Sequence, residues 1–191
     1  MRNILKLGVF LLLIAGIAGL GIAYVHQLTA PLIEEQLASE KANSLLEVYP
    51  EGDFIADESE KYLDSKTDPV IKGLHIAYED NNPVGAIYLV EPSGYNGTIQ
   101  LMVGFDLATQ KITGIKILSQ SETPGLGANA EESFFTDRFK GKSIEKSLEV
   151  VKQEPAGDNQ ILAITSATIT SKAVTSGVNI ARAHFQENFV Q

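Results

Sequence analysis

The 191-residue chain contains no cysteine, which excludes disulfide frameworks, thiolate metal sites and thiol nucleophiles. Tryptophan is absent too. Histidine occurs three times, at His26, His75 and His184, too widely spaced for a metal-ligand motif, so each reads as structural or solvated. Positive charge is scarce: 15 Lys+Arg stand against 24 Asp+Glu, a net charge of -9. Such a surface repels nucleic acid and offers no counterion-releasing patch, so a nucleic-acid role is not expected. The patterns GxSxG, GxxxxGK[ST] and HExxH are also missing, and the carboxylates scatter over polar segments instead of pairing in an apolar setting, which argues against hydrolases.

A long uncharged run is present. Residues 7–25 read "LGVFLLLIAGIAGLGIAYV", and at about 1.5 Å per residue this run reaches about 28 Å, enough to cross a bilayer core of about 30 Å. Arg2 and Lys6 precede it, and the first charges after it are Glu34 and Glu35. The positive-inside bias then places the amino end in the cytoplasm and the rest of the chain outside. The apolar region of a cleaved signal peptide is shorter, about 7–15 residues, so the run reads as a retained anchor. Its small residues, among them Ala15, Gly16, Gly19 and Ala23, either let another membrane helix approach closely or reflect the ordinary composition of membrane helices.

Leu32, Ile33, Leu37, Leu45, Leu46 and Tyr49 recur at spacings near three and four, which predicts an amphipathic helix beyond the anchor. The acidic, turn-rich stretch 50–69 reads as a surface connection with one short strand around Phe54. Two pairs of β-like segments follow: "IKGLHIAYED" with "VGAIYLVEP", and "GTIQLMVGFD" with "KITGIKILSQ". Alternation at Ile99, Leu101 and Val103, and at Ile115 and Ile117, suits a sheet with one buried face. A short helix is expected in "AEESFFTDRFKGK", and a closing helix carries Val174, Val178, Ala181, Phe185 and Phe189 on one stripe. The expected class is α+β, an antiparallel sheet packed by helices behind one transmembrane helix. The divisions are 1–28 for tail and anchor, 29–69 for the amphipathic helix and connection, and 70–191 for the folded domain.

Three stretches could carry chemistry. "SGYNGTIQ" is either an ordinary strand connection or a place of close approach, since its glycines permit both. "SETPGLGAN" is either a plain Pro-Gly turn or a loop presenting bare backbone amides. "TSATITSKAV" crowds five hydroxyls, Thr165, Ser166, Thr168, Thr170 and Ser171, into a helix start. That start offers unpaired N–H groups and a positive dipole end to a phosphate, or needs only a cap, for which one hydroxyl suffices.

Taken in this order behind an anchor, the three stretches resemble the FMN-binding domain of the G subunit of the Rnf electron-transport complex. The C subunit of the sodium-pumping NADH:quinone oxidoreductase shares that domain. The resemblance covers essentially the whole chain, and 70–191 is then the FMN-binding domain. Its specific motif has the form [ST]-G-A-T-x-[ST] and implies FMN bonded through its phosphate to the last hydroxyl, here Thr170, with Ser166, Ala167, Thr168 and Ser171 around the phosphate. By the same resemblance Glu122, Thr123, Leu126 and Gly127 lie near the isoalloxazine ring, with Gly94 and Tyr95 as further candidates. Ser166 stands where the family has glycine; a Cβ makes positive φ costly, so either the backbone differs there or the position does not need that freedom.

The resemblance implies an electron-relaying subunit of an Rnf-type complex that couples electron flow between ferredoxin and NAD to sodium or proton movement. Its partners are the other membrane subunits, and a flavin transferase using FAD installs the FMN. Alternatives are a component like the C subunit of the quinone-reducing complex, an extracytoplasmic binding module without redox function, and a free-standing flavin reductase.

Overall fold

In the computed structural model, which describes residues 2–50, 54–64, 66–153 and 157–190, the apolar run forms part of one long helix, α1 (Arg2–Val48). Residues 51–53 and 65 of the expected connection lie outside the described residues. The chain divides into two compact units, Met1–Ala42 and Asn43–Gln191.

The described residues of the first unit all lie within α1. Its stretch Lys6–Ile33 contains an 18-residue window of mean hydropathy 2.4, none of it buried, and is long and apolar enough to cross a membrane. The amphipathic segment is not a separate helix, because α1 continues through Pro31. Proline removes only the bond to the carbonyl of Gln27, and the Leu, Glu, Gln and Ala residues that follow are good helix formers.

The second unit is built on a five-stranded antiparallel sheet whose strands stand in chain order: β1 (Phe54–Asp57), β2 (Ile71–Glu79), β3 (Asn82–Val90), β4 (Gln100–Asp106) and β5 (Lys111–Ser119). Asp80 and Asn81 join β2 to β3 with φ of +49° and +63°, the two positive values that a type I′ hairpin demands and that Asp and Asn tolerate best. Beyond the sheet come α2 (Ser59–Tyr62), a 3-10 turn (Gly127–Glu131), α3 (Ser133–Thr136) and a parallel pair, β6 (Glu149–Val151) with β7 (Gln160–Leu162). The closing helix α4 spans Thr168–Phe189.

The helix stripe and the strand alternation explain how these pieces pack. Val174, Val178, Ala181 and Phe185 of α4 are buried in one cluster with Leu74, Ile76, Tyr88, Val90, Leu101, Val103 and Phe105. Phe185 stacks on Phe105 with ring centroids 5.0 Å apart.

The expectation of a single buried face is corrected at the central strands. Ala77, Ile87 and Met102 point to the other face and are also buried, against Val48 and Tyr49 at the end of α1. Two glycines make that seat. A Cβ on Gly85 would stand 2.1 Å from the Tyr49 ring, and one on Gly104 would stand 2.8 Å from the Val48 side chain. The Tyr49 hydroxyl lies 2.9 Å from the Val84 carbonyl and 3.0 Å from the Asp106 carboxylate, so the ring is held at its tip as well as its flanks.

Candidate flavin site

All three of the chemistry-bearing stretches lead away from strands. The first, 93–98, joins β3 to β4 and closes on itself through Gly94 N–H to the Gly97 carbonyl at 2.7 Å. The second follows β5. There Thr123, Pro124, Gly125 and Leu126 make a tight turn, with Leu126 N–H donating to the Thr123 carbonyl at 3.1 Å. Gly125 takes φ +76°, as the third position of a type II turn requires. The third stretch links β7 to α4.

One side chain ties the three together. Glu122 is 5% exposed, and its carboxylate accepts the N–H groups of Tyr95 and Asn96 through Oε1, each at 2.9 Å. Through Oε2 it accepts the hydroxyl of Thr170 at 2.5 Å. Glycines permit this approach: a Cβ on Gly94 would lie 2.5 Å from Oε1, and one on Gly127 would lie 2.6 Å from both Oε2 and the Thr170 hydroxyl oxygen. Asn96 adds a strut between the first two loops by donating its side-chain N–H to the Ser121 carbonyl at 2.7 Å.

The five hydroxyls at the helix start separate by environment. Thr170 and Ser171 are buried, at 2% and 0% exposure. The Ser171 hydroxyl accepts Ile164 N–H and donates to the Ala167 carbonyl, each at 2.9 Å, so it braces the strand-to-helix turn and is not directed at a ligand. Thr165 and Ser166 are exposed, and Thr168, the first residue of α4, is half-buried. None of them caps the helix, since Ala167 holds the capping position. The first intrahelical bond runs from Ser171 N–H to the Ala167 carbonyl, so the N–H groups of Thr168, Ile169 and Thr170 precede the ladder and are available to an anion.

Ser166 resolves the question its Cβ raised. It adopts φ +62°, the left-handed conformation that glycine reaches freely, so the backbone path is kept and the serine bears the cost, about 1–2 kcal/mol.

The apolar residues nearest these groups are exposed. Tyr95 is 68% exposed, Ile169 55% and Leu126 40%, and each adjoins a residue of the Glu122 cluster: Asn96, Thr170 and Gly127 respectively. Thr123 is exposed beside Glu122, and Gly94 is half-buried. The anion-binding helix start, a half-buried hydroxyl and a fringe of apolar side chains suit a phosphorylated aromatic ligand such as FMN. The motif alone does not single out Ile169, although it is the one large apolar residue among the hydroxyls and could have been found on that ground.

Residues 94–183 match the FMN-binding domain family, and residues 1–48 match the RnfG N-terminal region. The chain is 38% identical over 190 residues to the G subunit of the Na(+)-translocating ferredoxin:NAD(+) oxidoreductase complex of Acetobacterium woodii, covering 94% of this chain and 90% of that one. To the G subunit of the ion-translocating oxidoreductase complex of Shewanella piezotolerans it is 30% identical, covering 98% and 90%. Among solved structures, the C subunit of the Na(+)-translocating NADH-quinone reductase from Parabacteroides distasonis superimposes with a TM-score of 0.54 at 26% identity, over 72% of this chain and 76% of that one. These matches and the geometry of the three loops agree: the chain is a membrane-anchored member of the family of Rnf complex G subunits and carries its FMN-binding domain.

Proposed function

We propose that this chain relays electrons within an Rnf-type ion-translocating ferredoxin:NAD oxidoreductase complex, carrying FMN bonded through its phosphate to Thr170. The matches to G subunits along nearly the whole chain support the role. The resemblance points to Thr170, and its hydroxyl, in the first turn of α4, donates to the Glu122 carboxylate on which the three stretches converge, which supports that residue as the point of attachment. Thr168, two residues earlier, is half-buried at the first position of α4. In the installing step the Thr170 hydroxyl oxygen bonds to the FMN phosphorus of FAD, the pyrophosphate P–O bond breaks, AMP leaves, and the hydroxyl proton passes to a base of the flavin transferase.

The residues present fit the group. The N–H groups of Thr168, Ile169 and Thr170 and the dipole of α4 stabilise the phosphate, and Ser166 lies beside it. Tyr95, Leu126 and Ile169 offer apolar area to the ring. Bound FMN supplies one- and two-electron transfer; the protein supplies position and environment. The anchor and the charges of Arg2 and Lys6 support an extracytoplasmic site, where a covalent bond prevents loss of the cofactor.

Fragmentation of the flavin-bearing peptide tests this reading. FMN is expected on Thr170, absent from Thr170→Val and retained by Thr168→Ala, whereas FMN on Thr168 overturns the assignment. In spheroplasts, protease added from outside should release that peptide, and release only after lysis would invert the topology.

A further inference from the structure

We propose that Glu122 is the positioning residue of the flavin site, whose carboxylate pins the 93–98 and 121–127 loops to the first turn of α4. The inference rests on the reading that FMN is carried at this helix start.

A carboxylate taken out of water must recover its hydration through hydrogen bonds or a counter-charge. Among the described residues no Lys or Arg forms a salt bridge with Glu122. Compensation comes from the N–H groups of Tyr95 and Asn96 and the hydroxyl of Thr170, which lie 27, 26 and 48 residues away in sequence. The donors are therefore the pieces of the site itself. The Tyr95 and Asn96 amides fix the loop that bears the exposed Tyr95 ring, and Thr170 fixes the turn that bears Thr168 and Ile169. Leu126 is set by its neighbour Gly127, packed so closely that a Cβ placed on it would lie 2.6 Å from the same carboxylate. Removing the carboxylate leaves two N–H groups and a hydroxyl without their acceptor, and each can be met again only by moving a loop toward water.

Glutamine separates position from charge. In Glu122→Gln the side-chain carbonyl still accepts both N–H groups, and the amide donates to the Thr170 hydroxyl oxygen, so the loops stay in place without the negative charge. In Glu122→Ala nothing replaces the bonds.

The test uses the full chain made beside a flavin transferase with FAD. Loading is followed by intact mass, ordering of the flavin by its visible circular dichroism, and folding by far-ultraviolet circular dichroism. The Gln variant should load within about twofold of the parent and keep its flavin dichroism, while the folded Ala variant should load about tenfold more slowly and lose more than about half of that dichroism. An Ala variant equal to the parent in both overturns the proposal, as does a Gln variant as impaired as Ala. Should the Ala variant not fold, Glu122→Met, which keeps the side chain's length without its acceptor oxygens, must weaken the flavin dichroism; unchanged dichroism overturns the proposal. Flavin dichroism can be read wherever FMN is bonded, so an error about Thr170 shows in peptide mapping and leaves the Glu122 comparison intact.

Discussion

Two side chains in this domain sit over glycines and draw distant segments together, and they do so by different physics. Tyr49 lies over Gly85 with its ring buried against Ala77, Ile87 and Met102, and its hydroxyl adds polar contacts at Val84 and Asp106. Glu122 lies between Gly94 and Gly127 and holds its partners through hydrogen bonds to a carboxylate. The first contact is mostly area removed from water, which is tolerant of direction. The second is directional, and it holds the three loops of the candidate site. An apolar clasp serves where only adhesion is needed, and a polar one where loops must be aimed.

The sharpest way to break that contrast is to remove the apolar clasp. Tyr49 is 1% exposed, and Tyr49→Ala should cost about 3–5 kcal/mol in urea unfolding, as loss of a buried aromatic does. Gly85→Ala attacks the same seat from the sheet side and should cost about 1–3 kcal/mol, because the added Cβ must displace the ring. In both, flavin loading per folded molecule should match the parent. If loading falls while the domain stays folded, the two clasps are one coupled unit and the contrast fails.

Much of this architecture is legible in the chain, and the parts that are not share a cause. The hairpins of β2–β3 and β4–β5 declare themselves because alternation and turn residues are local, and the α4 stripe from Val174 to Phe185 is a local period. Burial of the second sheet face is not local: it depends on Val48 and Tyr49 arriving opposite Gly85 and Gly104, and those glycines read only as weak strand positions. The parallel pair β6–β7 has three residues per strand, too few for any period to show. Glu122 stands out as part of a loop motif, but its partners are 26 to 48 residues distant, and hydrogen-bond partners at that range leave no spacing to read. The hydroxyl cluster is visible as a surplus, whereas its division into buried braces and reachable groups requires the turn geometry that Ser166 creates.

Ser166 sharpens the comparison at its site end with a smaller effect. Asp80 and Asn81 take positive φ in a hairpin where their side chains suit it, while Ser166 takes φ +62° at the helix start with no such preference. Ser166→Gly relieves about 1–2 kcal/mol of backbone cost but adds about 0.4–1 kcal/mol of unfolded-state entropy, so the net gain should be about 0.5–1 kcal/mol. Urea unfolding of the two proteins checks it, and Ser166→Ala, which keeps the Cβ, should show no comparable gain. A neutral Ser166→Gly would mean that the turn relaxes around serine without strain.

The smallest effect concerns the acid limb of the apolar clasp. Burial pushes the Asp106 carboxyl up, but hydrogen bonds from the Thr109 hydroxyl and amide, from Tyr49 and from the Ala108 amide outweigh it and hold the group below its ordinary 3.8. A carboxyl whose folded value is depressed binds its proton more readily in the unfolded chain. Its contribution is therefore fully present above about pH 4 and is lost as pH falls through the folded value. Unfolding free energy should accordingly decline as pH drops below about 4, and less steeply in Asp106→Asn, which cannot titrate. Tyr49→Phe removes one of the bonds to the carboxylate and should lessen the decline without abolishing it, because the Thr109 contacts remain. An identical acid limb in all three proteins would assign the loss to other carboxylates and leave the Tyr49 clasp held by its ring and its contact with the Val84 carbonyl.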